Sequence, residues 1–118
     1  GDQPLVHAST IFTMKCLAGL LQSLKNIPEG AGNVLDNTVI LGSSDVSDGK
    51  LHSLNDYPLV VAGRGGGFLK YPGVHYRSTK QENTSTVLFS VLKAAGLTMT
   101  EFGAGGGLVT TSCTAIEA

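Results

Sequence analysis

Apolar side chains recur at Met14, Leu17, Leu20, Leu21, Leu24 and Ile27, behind the capping candidates Ser9 and Thr10. That three-then-four spacing predicts a helix over about 9–26 with one buried face. Pro28 and Gly30 stop it, and Glu29 to Asn37, with two glycines and an Asp-Asn pair, reads as loop and turn. The pattern then changes. Thr38 to Leu41 and Leu59 to Ala62 are β-branched and apolar without alternation, the pattern of strands covered on both faces, and they predict strands at about 38–43 and 58–63. Residues 44–57 between them are polar and contain Asp48-Gly49 and Asn55-Asp56, a loop of functional size rather than a tight hairpin. Val87, Leu88, Val91, Leu92 and Ala95 share one face of a second helix over about 84–95, which Gly96 is placed to end. From Phe102 onward no period survives. Gly103-Ala104-Gly105-Gly106-Gly107 and the Thr/Ser-rich end read as an irregular or frayed tail.

These elements predict an α/β chain, a small mixed sheet with two main helices in a single domain over 1–118. Its 118 residues are enough to bury roughly 65% of the unfolded surface in one core. Lys plus Arg number 8 against 9 for Asp plus Glu, a net charge of -1, and the cations are scattered. Neither a nucleic-acid patch nor an anionic-membrane surface is expected from that balance. Uninterrupted apolar stretches reach only about five or six residues, short of the ~18 of a spanning helix, so no membrane partner is expected. The start Gly1-Asp2-Gln3-Pro4 lacks the basic and apolar regions of an export signal, and it lacks Met, which leaves a removed signal open. Cys16 and Cys113 have no CxxC or Cys/His spacing; idle thiols are the plainer reading, a disulfide the other.

Candidate chemistry concentrates after the first strand. Asp45, Asp48 and His52 are the acid and imidazole groups that the sequence places together at a strand end. In open α/β sheets, loops beyond the carboxyl ends of strands aim side chains into one crevice. A carboxylate and a neutral imidazole suit zinc or a similar divalent ion, which can polarise an ester or activate water. Two ligands from one loop fall short of the three protein ligands usual at a catalytic zinc. The competing reading is that Asp45 and Asp48 shape a turn through side chain to backbone bonds while His52 stands in solvent. Other motifs fail their context. Gly63-Arg64-Gly65-Gly66-Gly67 runs into Phe68-Leu69-Lys70-Tyr71-Pro72-Gly73 rather than a helix, so it is no phosphate loop. Asp45-Val46-Ser47-Asp48-Gly49 lacks the alternating ligands of a calcium loop, and Ser43-Ser44 has no nucleophile elbow. Asn83-Thr84-Ser85 fits a glycosylation sequon, but a helix cap explains it better. His7 and His75 read as ordinary surface residues.

The order of a helix, Ile27-Pro28-Glu29-Gly30, Leu35-Asp36-Asn37-Thr38-Val39-Ile40, Asp48-Gly49 with His52, Tyr57-Pro58-Leu59-Val60-Val61-Ala62-Gly63, and a helix ending Leu92-Lys93-Ala94-Ala95-Gly96-Leu97 carries a resemblance. It resembles the C-terminal portion of an uncharacterised bacterial family in the alkaline phosphatase and sulfatase superfamily, over roughly residues 10–103, with 27–67 the more specific part. The resemblance implies a three-layer α/β/α sandwich and hydrolysis or transfer of phosphate or sulfate esters at divalent metals. It implies Asp45 as the metal-binding aspartate at the strand end, His52 as the later histidine and Asp48 as a weaker candidate. Val46 stands where the superfamily has a paired histidine, and Leu54 where relatives carry another. The nucleophile and much of the ligand set belong to an N-terminal portion that residues 1–37 do not resemble. The resemblance therefore implies a fragment or reduced descendant, partnered by the missing N-terminal portion or by further copies of itself, and it favours an exported or periplasmic setting. A non-catalytic association or binding domain is the alternative it leaves.

Overall fold

A computed structural model describes residues 3–118; Gly1 and Asp2, part of the export-signal reading, lie outside the described residues. Helix α1 spans Pro4–Lys25. It begins earlier than the apolar spacing predicts because Pro4 occupies the first turn, where its missing N–H costs nothing and its fixed φ suits a helix. Ser9 and Thr10 consequently lie inside the helix rather than capping it, and the Thr10 hydroxyl donates to the Val6 carbonyl at 2.9 Å.

The segment read as loop and turn holds more order than that. Strands β1 (Pro28–Glu29) and β2 (Gly32–Asn33) form a minimal antiparallel hairpin, and the turn uses Gly30 at φ +58°. A one-turn helix, α2 (Val34–Asn37), comes after it. The Asp36 N–H donates to Asn33 Oδ1 and the Asn33 N–H donates to Asp36 Oδ2, both at 3.2 Å, a reciprocal cap that closes the helix start.

Strands β3 (Ile40–Ser43) and β4 (Leu59–Ala62) stand where the apolar runs place them. They pair with each other, antiparallel, from Ile40 opposite Ala62 to Ser43 opposite Leu59. The expected small mixed sheet is therefore corrected to two separate two-stranded antiparallel pairs. The chain is a mixture of helices and small antiparallel sheets, broadly α/β. The β3–β4 ribbon is not covered on both faces as its composition predicts: Leu41 remains 39% exposed and Val60 42%. One face meets α1, where the Leu17 side chain lies against Gly42. Only the C-terminal half of α1 docks, through half-buried Leu17, Leu21 and Leu24.

Helix α3 (Ser85–Ala94) carries the core. Phe89 and Ser90 are fully buried, with Leu69, Ala94 and Cys113 beside them. Gly96, at φ +88°, ends the helix as expected. The tail is not frayed. Phe102 and Val109 exchange backbone hydrogen bonds at 2.9 and 2.8 Å, and the Lys70 N–H donates to the Ile116 carbonyl at 2.9 Å. The Ser90 hydroxyl donates to Glu117 Oε1 at 2.7 Å and accepts from the Cys113 N–H at 2.9 Å. A tail held by backbone bonds to distant segments carries no local period, which is why its sequence looks irregular.

The accessible surface is 8386 Å². A compact protein of this mass exposes about 6000 Å², so roughly 2300 Å² stays open that an ordinary fold would bury. The radius of gyration, 15.8 Å, also exceeds the ~13.5 Å expected at this length. Much of the excess sits on α1, none of whose residues is buried. By length and composition alone α1 is long and apolar enough to cross a membrane. Runs alone miss this because Thr10, Thr13 and Lys15 interrupt them without lowering the average enough.

Candidate functional site

Asp45 lies two residues beyond the carboxyl end of β3, at the start of the 44–57 loop, as the apolar run before it requires. The loop is folded on itself. The Ser47 N–H donates to the Ser53 carbonyl at 2.8 Å and the Ser53 N–H returns to the Asp48 carbonyl at 3.3 Å, leaving Gly49 to His52 as the tip. Asp48 Oδ1 accepts from the N–H groups of Lys50 and Leu51, both at 2.9 Å, the side-chain turn that an Asp-Gly pair favours. His52 takes a left-handed backbone, φ +49°, to close that turn. Asp45 Oδ1 accepts from the Val46 N–H at 3.1 Å and from the Ser44 hydroxyl at 3.3 Å.

The three sequence candidates therefore share one exposed loop, Asp45 at its base and His52 at its tip. Each carboxylate commits one oxygen to the loop's own donors. Among the described residues no ion pair joins His52 to Asp45 or Asp48, and no three His, Cys, Asp or Glu side chains cluster as a metal would require. Asp45 and His52 offer one oxygen ligand and one nitrogen ligand; by themselves they do not fit a catalytic zinc, which needs a third. The two thiols are free, Cys16 exposed and Cys113 buried. Burial pushes the Cys113 thiol above its ordinary range, so it is an inert packing group rather than a nucleophile.

Sequence reading missed a second feature, a groove of about 1090 Å³ beside the same loop. Leu59 and Val61 of β4, Val87 of α3, Cys113 and the strand-free segment around His75 and Arg77 all line it. One polar contact ties that segment to the 44–57 loop and a second closes the segment on itself. Arg77 Nη2 meets Asp56 Oδ2 at 2.8 Å, and the Tyr76 hydroxyl donates to Glu82 Oε2. The donated hydrogen bond holds the Glu82 carboxyl below the usual range and lifts the Tyr76 phenol above its own. Part of the groove's apolar lining comes from β4, but no local signal brings residues 74–82 beside that strand; the tie that does so, Arg77 to Asp56, joins residues far apart in sequence.

The Gly63–Gly67 run shapes the backbone. Gly63, at φ +87°, passes so close to the Thr38 carbonyl that no Cβ fits, and the Gly65 N–H donates to that same oxygen at 3.1 Å. Residues Gly65–Gly67 then form a short 3-10 turn, not the long helix a phosphate loop needs. Arg64 is engaged by Asp36 at 3.8 Å and by the Tyr71 ring at 5.3 Å. The exposed Asn83 side chain accepts from the Ser85 N–H at 3.0 Å and donates to the Gly106 carbonyl at 2.8 Å, as a helix-start residue does.

The chain matches no protein-family model, no curated protein and no solved structure.

Proposed function

We propose that this chain is the C-terminal portion of an alkaline phosphatase/sulfatase-like protein, lending its 44–57 loop to a divalent-metal centre for phosphate or sulfate ester hydrolysis. The observation that carries the reading is the position of Asp45, two residues past the end of a strand whose partner returns beside an open groove. In open α/β sheets, of which the proposal makes this ribbon a part, strand ends next to a crevice are where ligands collect. The exposed excess of roughly 2300 Å² supports it from a second side, because a portion cut from a larger fold leaves apolar surface uncovered. In the finer form of the proposal the layers are those of a three-layer α/β/α sandwich, α1 on one face of the β3–β4 ribbon and α3 beyond the other.

Asp45 and His52 would be metal ligands, and Asp48 orients the loop that carries them. A bound divalent ion would supply the Lewis acid of the centre. Further ligands and the nucleophile come from a segment outside this chain, so ester hydrolysis belongs to the assembled protein. Zinc uptake by protein made from the whole reading frame tests this. Zinc is expected to bind there, and Asp45→Ala and His52→Ala are each expected to lower its affinity by about tenfold or more. Zinc affinity indifferent to both substitutions would refute the assignment, as would a reading frame without further Asp/His clusters ahead of Gly1.

A second reading, a non-catalytic association domain that keeps the architecture, draws on the same loop. Asp45 and Asp48 already commit an oxygen each to backbone N–H groups, and Val46 and Leu54 occupy the positions where nitrogen ligands are expected. It expects the complete protein to bind no zinc, manganese or iron at all.

A further inference from the structure

We propose that the outward face of α1 is a self-complementary interface, on which a second copy of this chain lies antiparallel. This goes beyond the metal reading and does not depend on it. Leu17, Leu21 and Leu24 turn one flank of the helix toward the ribbon and α2; the flank turned away carries Leu5, Ser9, Phe12, Cys16, Gly19 and Ser23. These six recur at alternating four- and three-residue steps, the spacing of a helix–helix seam, and none is charged. All six are exposed, Leu5 at 85% and Phe12 at 68%, and nothing stands within 4 Å of where a Cβ on Gly19 would be.

The order of sizes along the seam selects the occupant. Two copies running in opposite directions, with the two-fold axis crossing the seam at the level of residue 14, set Leu5 opposite Ser23 of the other copy. The same axis sets Ser9 opposite Gly19 and Phe12 opposite Cys16. Every layer then joins a larger side chain to a smaller one, which lets the helices approach closely, and Phe12 meets a polarizable sulfur. An arbitrary partner has no reason to match this order; an inverted copy of the same helix does, because an isologous contact repeats each pair about its axis. The helix is about 33 Å long, so the seam has room for six layers. A standard interface takes ~800 Å² from each partner, and the chain as a whole leaves roughly 2300 Å² more open than a compact fold of its mass, much of it on α1. A net charge of -1 sets up little repulsion between copies.

The test is light scattering coupled to size exclusion, from 1 to 100 μM by order of magnitude, on the chain and two variants whose substitutions touch nothing in the monomer. The chain is expected to be a dimer. Phe12→Asp is expected to raise the dimer dissociation constant on the order of 100-fold or more, because the lost contact occurs twice. Gly19→Leu decides between pairing in register and plain stickiness. The added side chain strikes the Ser9 layer of the other copy, so the proposal expects it to weaken the dimer, whereas unspecific hydrophobic association would grow stronger. Far-ultraviolet dichroism confirms that both variants keep their helices. A monomeric chain overturns the proposal, as does a Gly19→Leu variant that associates more tightly. Flotation of the chain with neutral phosphatidylcholine vesicles, unaffected by Gly19→Leu, would overturn it in favour of a bilayer as the occupant of α1.

Discussion

Replacing Ser90 by alanine tests how the tail is fixed to the core. The hydroxyl is fully buried. It can donate its one proton to Glu117 Oε1 at 2.7 Å or to the Thr86 carbonyl at 3.3 Å, and the shorter, charge-assisted bond takes it. It also accepts from the Cys113 N–H, which the Thr86 carbonyl shares at 3.0 Å. Alanine fits the same volume, so the cost is almost wholly polar. A bond to a charged group is worth about 1.5–3 kcal/mol, while the Cys113 N–H retains its second acceptor and adds little. The expected loss is therefore about 2 kcal/mol, read as a lower urea midpoint at unchanged slope and as a melting temperature lower by roughly 8–12 °C. Glu117→Ala should cost a similar amount, and the Ser90→Ala/Glu117→Ala pair should fall short of additivity by about 1 kcal/mol or more. Additivity within about 0.5 kcal/mol would show that the two residues do not share a bond and would refute the reasoning.

Three further outcomes rest on the geometry. Gly63→Ala forces a Cβ against the Thr38 carbonyl at a positive φ, and should lower stability by about 3 kcal/mol or prevent folding; an unchanged urea midpoint would contradict the backbone path after β4. Asp48→Ala removes the acceptor for two N–H groups, and should raise hydrogen exchange at Lys50 and Leu51 by about tenfold without moving the global midpoint. The Tyr76–Glu82 contact sets a pH window. Glu82 is held below its ordinary value, so its share of stability is present above the usual carboxylate range and is lost as the medium turns more acidic than that. Tyr76 is held above its own value, so its share is complete below the usual phenol range and is lost as pH rises past it. Protease protection of residues 74–82 should be greatest at neutral pH, and Tyr76→Phe should flatten both limbs; equal cleavage of the two proteins across the range would dismiss the contact.

What the sequence disclosed depends on how local each cause is. Both long helices and both strands of the ribbon announce themselves by periodicity or by apolar runs, and Pro28 and Gly96 mark stops by their own stereochemistry. The spacing misplaces the start of α1 because a residue such as Thr10 satisfies its hydroxyl equally well inside a helix. The Asn33 and Asp36 cap is legible, three residues apart, but the loop-forming composition around it hides a helix of a single turn. Strand direction is not legible. A run such as Leu59 to Ala62 records that a strand is apolar, not which neighbour it meets, and here its composition points to covering surfaces that the chain itself does not provide. Asp45, Asp48 and His52 stand out because they share one loop. The groove and the Ser90 link do not, because each joins residues more than twenty positions apart.

Among the described residues the β3–β4 ribbon ends on both sides in strands without a neighbour. A contact made across α1 is satisfied once two copies have met, but a strand added to either side of the ribbon only moves the vacancy outward by one place. Growth of that kind has no natural end, and strands of only four residues, β4 bounded by Pro58 and Gly63, keep it short of a stable template. Extending either strand by two apolar residues would remove that brake and turn a stray encounter between concentrated molecules into the first step of a filament.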